Sequence, residues 1–124
     1  MDREGAARWL EGYVDAWRTY DRDRIGELFA EDAEYRYHPY EEEPVRGRDA
    51  IVDHWVAHAD EPGTYQGSYR PIAVEGDTVV ATGTSTYFDG KGAKREVYDN
   101  SFVIRFDPDG KAREFVEWYM KRPS

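Results

Sequence analysis

The chain has 124 residues, 40% hydrophobic and 35% charged, which describes one folded domain and excludes a disordered chain. Acidic residues outnumber basic ones by 26 to 17, for a net charge of −9 and a pI near 4.8. Such a balance repels phosphate backbones and anionic lipid surfaces, so no nucleic acid and no membrane is expected as a partner.

Cysteine is absent, which excludes disulfides, thiolate metal sites and a cysteine nucleophile, and fits a reducing cytoplasm. No apolar run approaches the ~18 residues that a membrane-spanning helix needs. The first residues, Met1 to Gly5, are charged and lack the hydrophobic region of a signal peptide. Aromatic residues stand out: ten Tyr, five Phe and four Trp make 15% of the chain. Buried tyrosines need partners for their hydroxyls, so these residues either build the core or line a cavity.

In chain order, Glu4 to Tyr20 has helical spacing, with Trp9, Tyr13 and Trp17 at four-residue intervals beside Ala6, Leu10 and Val14. Asp21 or Asp23 can cap a short second helix holding Ile25, Leu28 and Phe29. Ala33 to Tyr37 reads as a strand that Pro39 stops. The run Glu41-Glu42-Glu43-Pro44 reads as an exposed loop bordering any pocket mouth, where it would disfavour anionic ligands. A third helix is predicted over Asp49 to Ala59, with Ile51, Val52, Trp55 and Val56 at core spacing. After Pro62-Gly63, four strands follow: Thr64–Val74, Thr78–Phe88, Lys94–Phe106 and Lys111–Met120, joined by Gly- and Asp-rich turns. The order predicts an α+β fold, three helices packed on a curved, mainly antiparallel sheet around a single core.

Four segments carry a family resemblance. They are Leu28–Ala33, Tyr35–Pro39 followed by Val45–Ile51, Tyr98–Asn100 leading into Phe102–Phe106, and Asp109–Lys111 with Phe115–Tyr119. Together they resemble the SnoaL-like branch of the nuclear transport factor 2-like superfamily over residues 1–124 as one domain. The resemblance implies a cone-shaped barrel, commonly a homodimer through the sheet, whose wide end takes a small apolar molecule. It also implies cofactor-free acid–base chemistry of the isomerase, cyclase, dehydratase or epoxide hydrolase type. The alternative is a non-catalytic ligand-binding or homodimeric accessory protein, because fold alone does not set function.

Several residues are candidates for that chemistry. His38 ends the first strand before Pro39, where isomerase-like relatives carry a carboxylate base. An imidazole can move protons near neutral pH, and the alternative is a strand-end histidine bonded to a loop. Asp99 and Asn100 are adjacent in a strand and face opposite sides. The set Tyr98, Asn100, Phe102, Ile104 and Phe106 favours an inward Asn100, while an inward Asp99 would be an acid or base. Glu117 shares a face with Phe115 and Tyr119; beside tyrosines its pKa rises, unless an arginine pairs with it. Tyr13, Trp17 and Trp55, with Tyr40, are candidate walls for substrate, or plain core, and the resemblance adds an oxyanion-donor role for a first-helix tyrosine. His54 and His58 stand four apart on the third helix, a metal-ligand spacing without an intervening Glu. A third ligand would have to come from elsewhere, His38 or a carboxylate, so the pair reads as the polar side of the helix and no metal is expected.

Overall fold

The computed structural model describes residues 1–123, with the side chains of Lys94 and Arg95 outside the description. Three helices, α1 (Arg3–Thr19), α2 (Arg22–Glu27) and α3 (Arg48–Ala57), accompany six strands. The strands are β1 (Phe29–Arg36), β2 (Val45–Arg46), β3 (Tyr65–Glu75), β4 (Thr78–Phe88), β5 (Lys94–Phe106) and β6 (Ala112–Lys121).

Local chemistry explains the helix ends. Asp2 caps α1, its side chain accepting from Gly5 N–H, and Asp21 caps α2 by accepting from the Asp23 and Arg24 amides. Tyr20 ends α1 in the left-handed region, φ 50°, and its N–H returns to Ala16 O. Phe29 does not continue the second helix as its spacing predicts. It opens β1, because Leu28 O accepts from Ala112 N–H and Phe29 pairs with Ala112 in the neighbouring strand. The first strand is therefore longer at its start than Ala33–Tyr37. The two-residue β2, pairing Tyr35 with Val45, is too short to show a period and has no sequence signature.

The sheet runs β2-β1-β6-β5-β4-β3, with β3 to β6 forming an antiparallel meander and β1 lying parallel to β6. It does not close. Its two flanks are held by helices: Tyr65 O–H from β3 donates to Trp17 O of α1, and Tyr37 from the end of β1 meets His54 of α3. The result is a cone of sheet wrapped on α1.

At one end the cone is filled. Leu10, Ile25, Phe29, Ile104, Phe106 and Phe115 are almost fully buried, and Trp9 meets Phe29 and Phe106 edge-on. Trp9 Nε1–H is satisfied by Leu28 O at 3.0 Å, so this large ring is buried without an unpaired polar atom. No helix among the described residues is long and apolar enough to cross a membrane.

Candidate functional site

The other end of the cone is hollow. A cavity of about 410 Å³ opens between α1, α3 and the inner face of β3 to β6. Eight of the ten tyrosines line it, with Trp17 and Trp55, the hydroxyl and amide groups of Ser85 and Asn100, and the ionisable His58, Asp60, Glu96 and Glu117.

Strand alternation places the polar residues. Asn100 faces inward and is buried, in the same row as Tyr69 and Gly83, whereas Asp99 faces outward. Gly83 and Gly67 make room for the wall. A Cβ on Gly83 would collide with the Ser68 carbonyl and the Tyr69 backbone, and one on Gly67 would meet the Tyr69 hydroxyl and the Trp17 ring.

A directed hydrogen-bond chain links four strands, β3 to β6. Ser85 Oγ–H donates to Asn100 Oδ1 at 2.9 Å, so the Tyr69 hydroxyl, 2.5 Å from Ser85 Oγ, must donate to it. Asn100 Nδ2 then donates to Glu117 Oε2 at 3.0 Å. Among the described residues this amide is the only polar partner of Glu117. No arginine among the described residues pairs with it, and Glu117 lines the cavity. Burial raises the Glu117 pKa from 4.5 to about 7, while the Asn100 hydrogen bond draws it back. In turn the Glu117 charge pushes up the neighbouring Tyr37 and Tyr69 hydroxyls, which burial has already raised.

Tyr13 and Tyr35 lie deep against this carboxyl, and burial raises both far above the ordinary phenol value. Their hydroxyls meet at 3.4 Å, a long contact that uses at most one of their two protons. Trp55 packs edge-on to Tyr13 and is 6% exposed, yet its Nε1–H has no partner. A buried unpaired donor on a cavity wall is a place for a ligand acceptor.

Of the residues singled out from sequence, Tyr13, Trp17, Trp55, Asn100, Glu117 and Tyr119 come together on the wall. His38 does not line it. Its ring stacks on Tyr40, and Nε2 lies 2.7 Å from the hydroxyl of Tyr119 at the rim. Tyr40 itself is 76% exposed, because β1 has ended and the chain turns outward after Pro39. Asp99 is corrected outright: it forms a two-toothed ion pair with Arg122 on the outer face, which lowers its pKa and removes it from the pocket. Glu41 accepts from the His38 amide and lies 3.7 Å from its ring, which puts one acid of the 41–43 run by the mouth. Glu43 points into solvent near Arg46. His54 and His58 stack at 4.3 Å, their Nδ1 atoms engaged by Tyr37 Oη and His54 O. No group of three metal-ligating side chains occurs among the described residues.

Sequence reasoning passed over Tyr69, Ser85 and Asp60. Ser85 was within reach, since Val79, Ala81, Gly83, Ser85 and Tyr87 alternate on one face of β4. Asp60 follows α3 in a loop, where no period operates.

A SnoaL-like domain model matches residues 10–115. No curated protein matches the sequence. Among solved structures, an NTF2-like protein of unknown function from Burkholderia xenovorans LB400 is 17% identical, with 98% of this chain and 87% of that one covered at a TM-score of 0.71. An LEH-like epoxide hydrolase of M. tuberculosis is 17% identical, covering 95% and 84% at 0.69. A protein of Kribbella flavida DSM 17836, provisionally assigned as a ketosteroid isomerase, is 19% identical, covering 99% and 83% at 0.69. These likenesses establish the fold, and the domain match spans most of the chain: it belongs to the SnoaL-like family of the NTF2-like superfamily.

Proposed function

We propose that this protein is an acid–base enzyme that uses its own side chains on a small, largely apolar molecule, with Glu117 as the proton carrier. One observation carries the reading: a carboxyl on the cavity wall whose pKa is raised to about 7 and which is held by a single amide. A group with that pKa divides its time between acid and base at neutral pH, which suits proton transfer in both directions. Oε1 takes a proton from a carbon acid and returns it to another carbon as the double bond shifts. With an epoxide it takes one from a water whose oxygen bonds to a ring carbon, while the epoxide C–O bond breaks and the alkoxide receives the proton. Either way the carboxylate is regenerated. Trp55, Tyr13 and Tyr35 line the same cavity, and the unpaired Trp55 Nε1–H and the spare tyrosine proton are the donors for charge developing on a substrate oxygen. His38 acts through the Tyr119 hydroxyl at the rim, with Glu41 beside it, as a positioning residue.

Isomerisation, cyclisation, dehydration and epoxide opening all fit this apparatus, and two similar structures are named for the first and the last of these classes. The test is a panel of small enolisable ketones in D₂O and small epoxides in buffer. Wild type should accelerate α-proton exchange or ring opening of at least one, and Glu117→Gln should return to the buffer rate. Bound compounds with no acceleration by wild type would contradict the reading.

The same reading includes a homodimer through the outer sheet face and a cytoplasmic location. Trp118 and Met120 are 43% and 75% exposed there, on the face they share with Val116 and Val103. Sedimentation should give twice the 14.5 kDa chain mass, and Trp118→Glu should give the monomer. A wild-type monomer would remove the dimer from the account.

A further inference from the structure

The charge on the cavity wall is one-sided. Asp60, Glu96 and Glu117 line it, and no lysine or arginine among the described residues does. Glu96 is engaged by Tyr98 Oη–H and by Lys121. Asp60 is different. It forms no ion pair among the described residues, and its Oδ2 accepts only at long range, from Trp17 Nε1–H at 3.4 Å and Tyr20 Oη–H at 3.3 Å.

Rings surround this carboxylate. The Trp17 centroid lies 4.5 Å from Tyr65 and 6.2 Å from Tyr87, and Tyr20 lies 6.3 Å from Tyr65. Tyr20 is brought there at a cost, since it is the one non-glycine described residue with positive φ. That conformation sends its hydroxyl to both the amide and the carboxylate of Asp60. A carboxylate without a cation among the described residues, set in an aromatic-lined cavity, is the arrangement that attracts an organic cation. An independent observation also points to a ligand: elsewhere on the same wall the buried Trp55 Nε1–H lacks an acceptor.

We propose that the cavity takes a small organic cation, an amine or quaternary ammonium on an apolar body that also bears an acceptor oxygen. The positive group sits by Asp60 among Trp17, Tyr20 and Tyr87, and the oxygen faces Trp55. This names the substrate class for the acid–base site proposed above and rests on that reading of the cavity. His58, whose Nδ1–H donates to His54 O, is the one nitrogen base on the wall among the described residues.

Three probes of one shape test it by calorimetry on the wild-type protein: choline, its neutral carbon analogue 3,3-dimethylbutan-1-ol, and the anion 3,3-dimethylbutanoate. Choline should bind about tenfold or more tighter than the alcohol, with the carboxylate weakest. Asp60→Asn should remove most of the choline preference and leave the alcohol unchanged. Equal or reversed affinities, no detectable choline binding, or an unaltered preference in Asp60→Asn would overturn the proposal. The readout is occupancy, so the two ideas fail separately. A preference for choline with a Glu117 that titrates like an ordinary carboxylate removes only the acid–base reading. A preference for the alcohol with Glu117 titrating near 7 removes only the cation.

Discussion

The two ends of the cone are built from the same elements and differ in chemistry along each one. α1 carries Ala6, Trp9 and Leu10 at the filled end and Tyr13 and Trp17 at the hollow end, where Tyr20 caps it. β1 passes from Phe29 and Ala33 to Tyr35, with Tyr37 just beyond its end, and β4 from Val79 and Ala81 to Ser85 and Tyr87. On β6, Ala112 and Phe115 give way to Glu117 and Tyr119. Phenylalanine rings pack against one another and close the interior, while tyrosine rings of nearly the same shape carry a hydroxyl that must find a partner or face open space. The gradient teaches how one small core can be closed by packing at one end and hold an ionisable cavity at the other. Filled packing supplies the stability that tolerates a buried carboxyl a few residues further along the same strand.

That contrast can be broken from either side. The largest effect is expected at the filled end, where Phe115 is fully buried and stacks on Tyr13 and Tyr35. Phe115→Ala should cost about 3–5 kcal/mol in urea unfolding. The half-exposed Tyr119 at the rim should cost about 1 kcal/mol or less on truncation to alanine.

At the hollow end the expected effect depends on pH. The folded pKa of Glu117, about 7, lies above its unfolded value of 4.5, so the folded state holds the proton more tightly. Its contribution to stability is complete below pH 4.5 and is lost as pH rises through 7, on the order of 3 kcal/mol in all. Glu117→Gln should flatten the unfolding free energy between those limits and leave the mutant more stable than wild type at pH 8. An equal slope in both proteins would place the titration elsewhere.

Asn100→Leu sharpens the same point. It removes the hydrogen bond that favours the ionised carboxyl, so the Glu117 midpoint should move further up, with about 1–3 kcal/mol lost because Ser85 also loses its acceptor. The smallest effect is on the outer face, where Asp99→Ala should leave turnover and melting temperature within error of wild type. The exposed Asp99–Arg122 pair is screened by solvent. A loss of turnover there would mean that the inner and outer faces are not independent.

Much of this was legible in the residues. Period-two alternation in β5 separates Asn100 from Asp99, and four-residue spacing in α1 puts Tyr13 and Trp17 on one side. What was not legible depends on tertiary closure. Phe29 reads as helix until its pairing with Ala112 pulls it into a strand. Tyr40 reads as wall until the chain turns away after Pro39. Asp60 is found only once α1 brings Trp17 and Tyr20 to it, about 40 residues away in sequence. The ring of His38 reads as a base facing a pocket, and is instead one hydroxyl removed from it.

A protonatable carboxyl inside the hollow end links the fold to the proposed chemistry. The most direct measurement is a carbon-13 NMR titration of the glutamate side-chain carboxyls, with Glu117→Gln to assign the resonance that disappears. A Glu117 midpoint near 7 is the predicted result. A midpoint near the ordinary 4.5 would show the carboxyl to be solvated and ionised throughout, and would contradict the account.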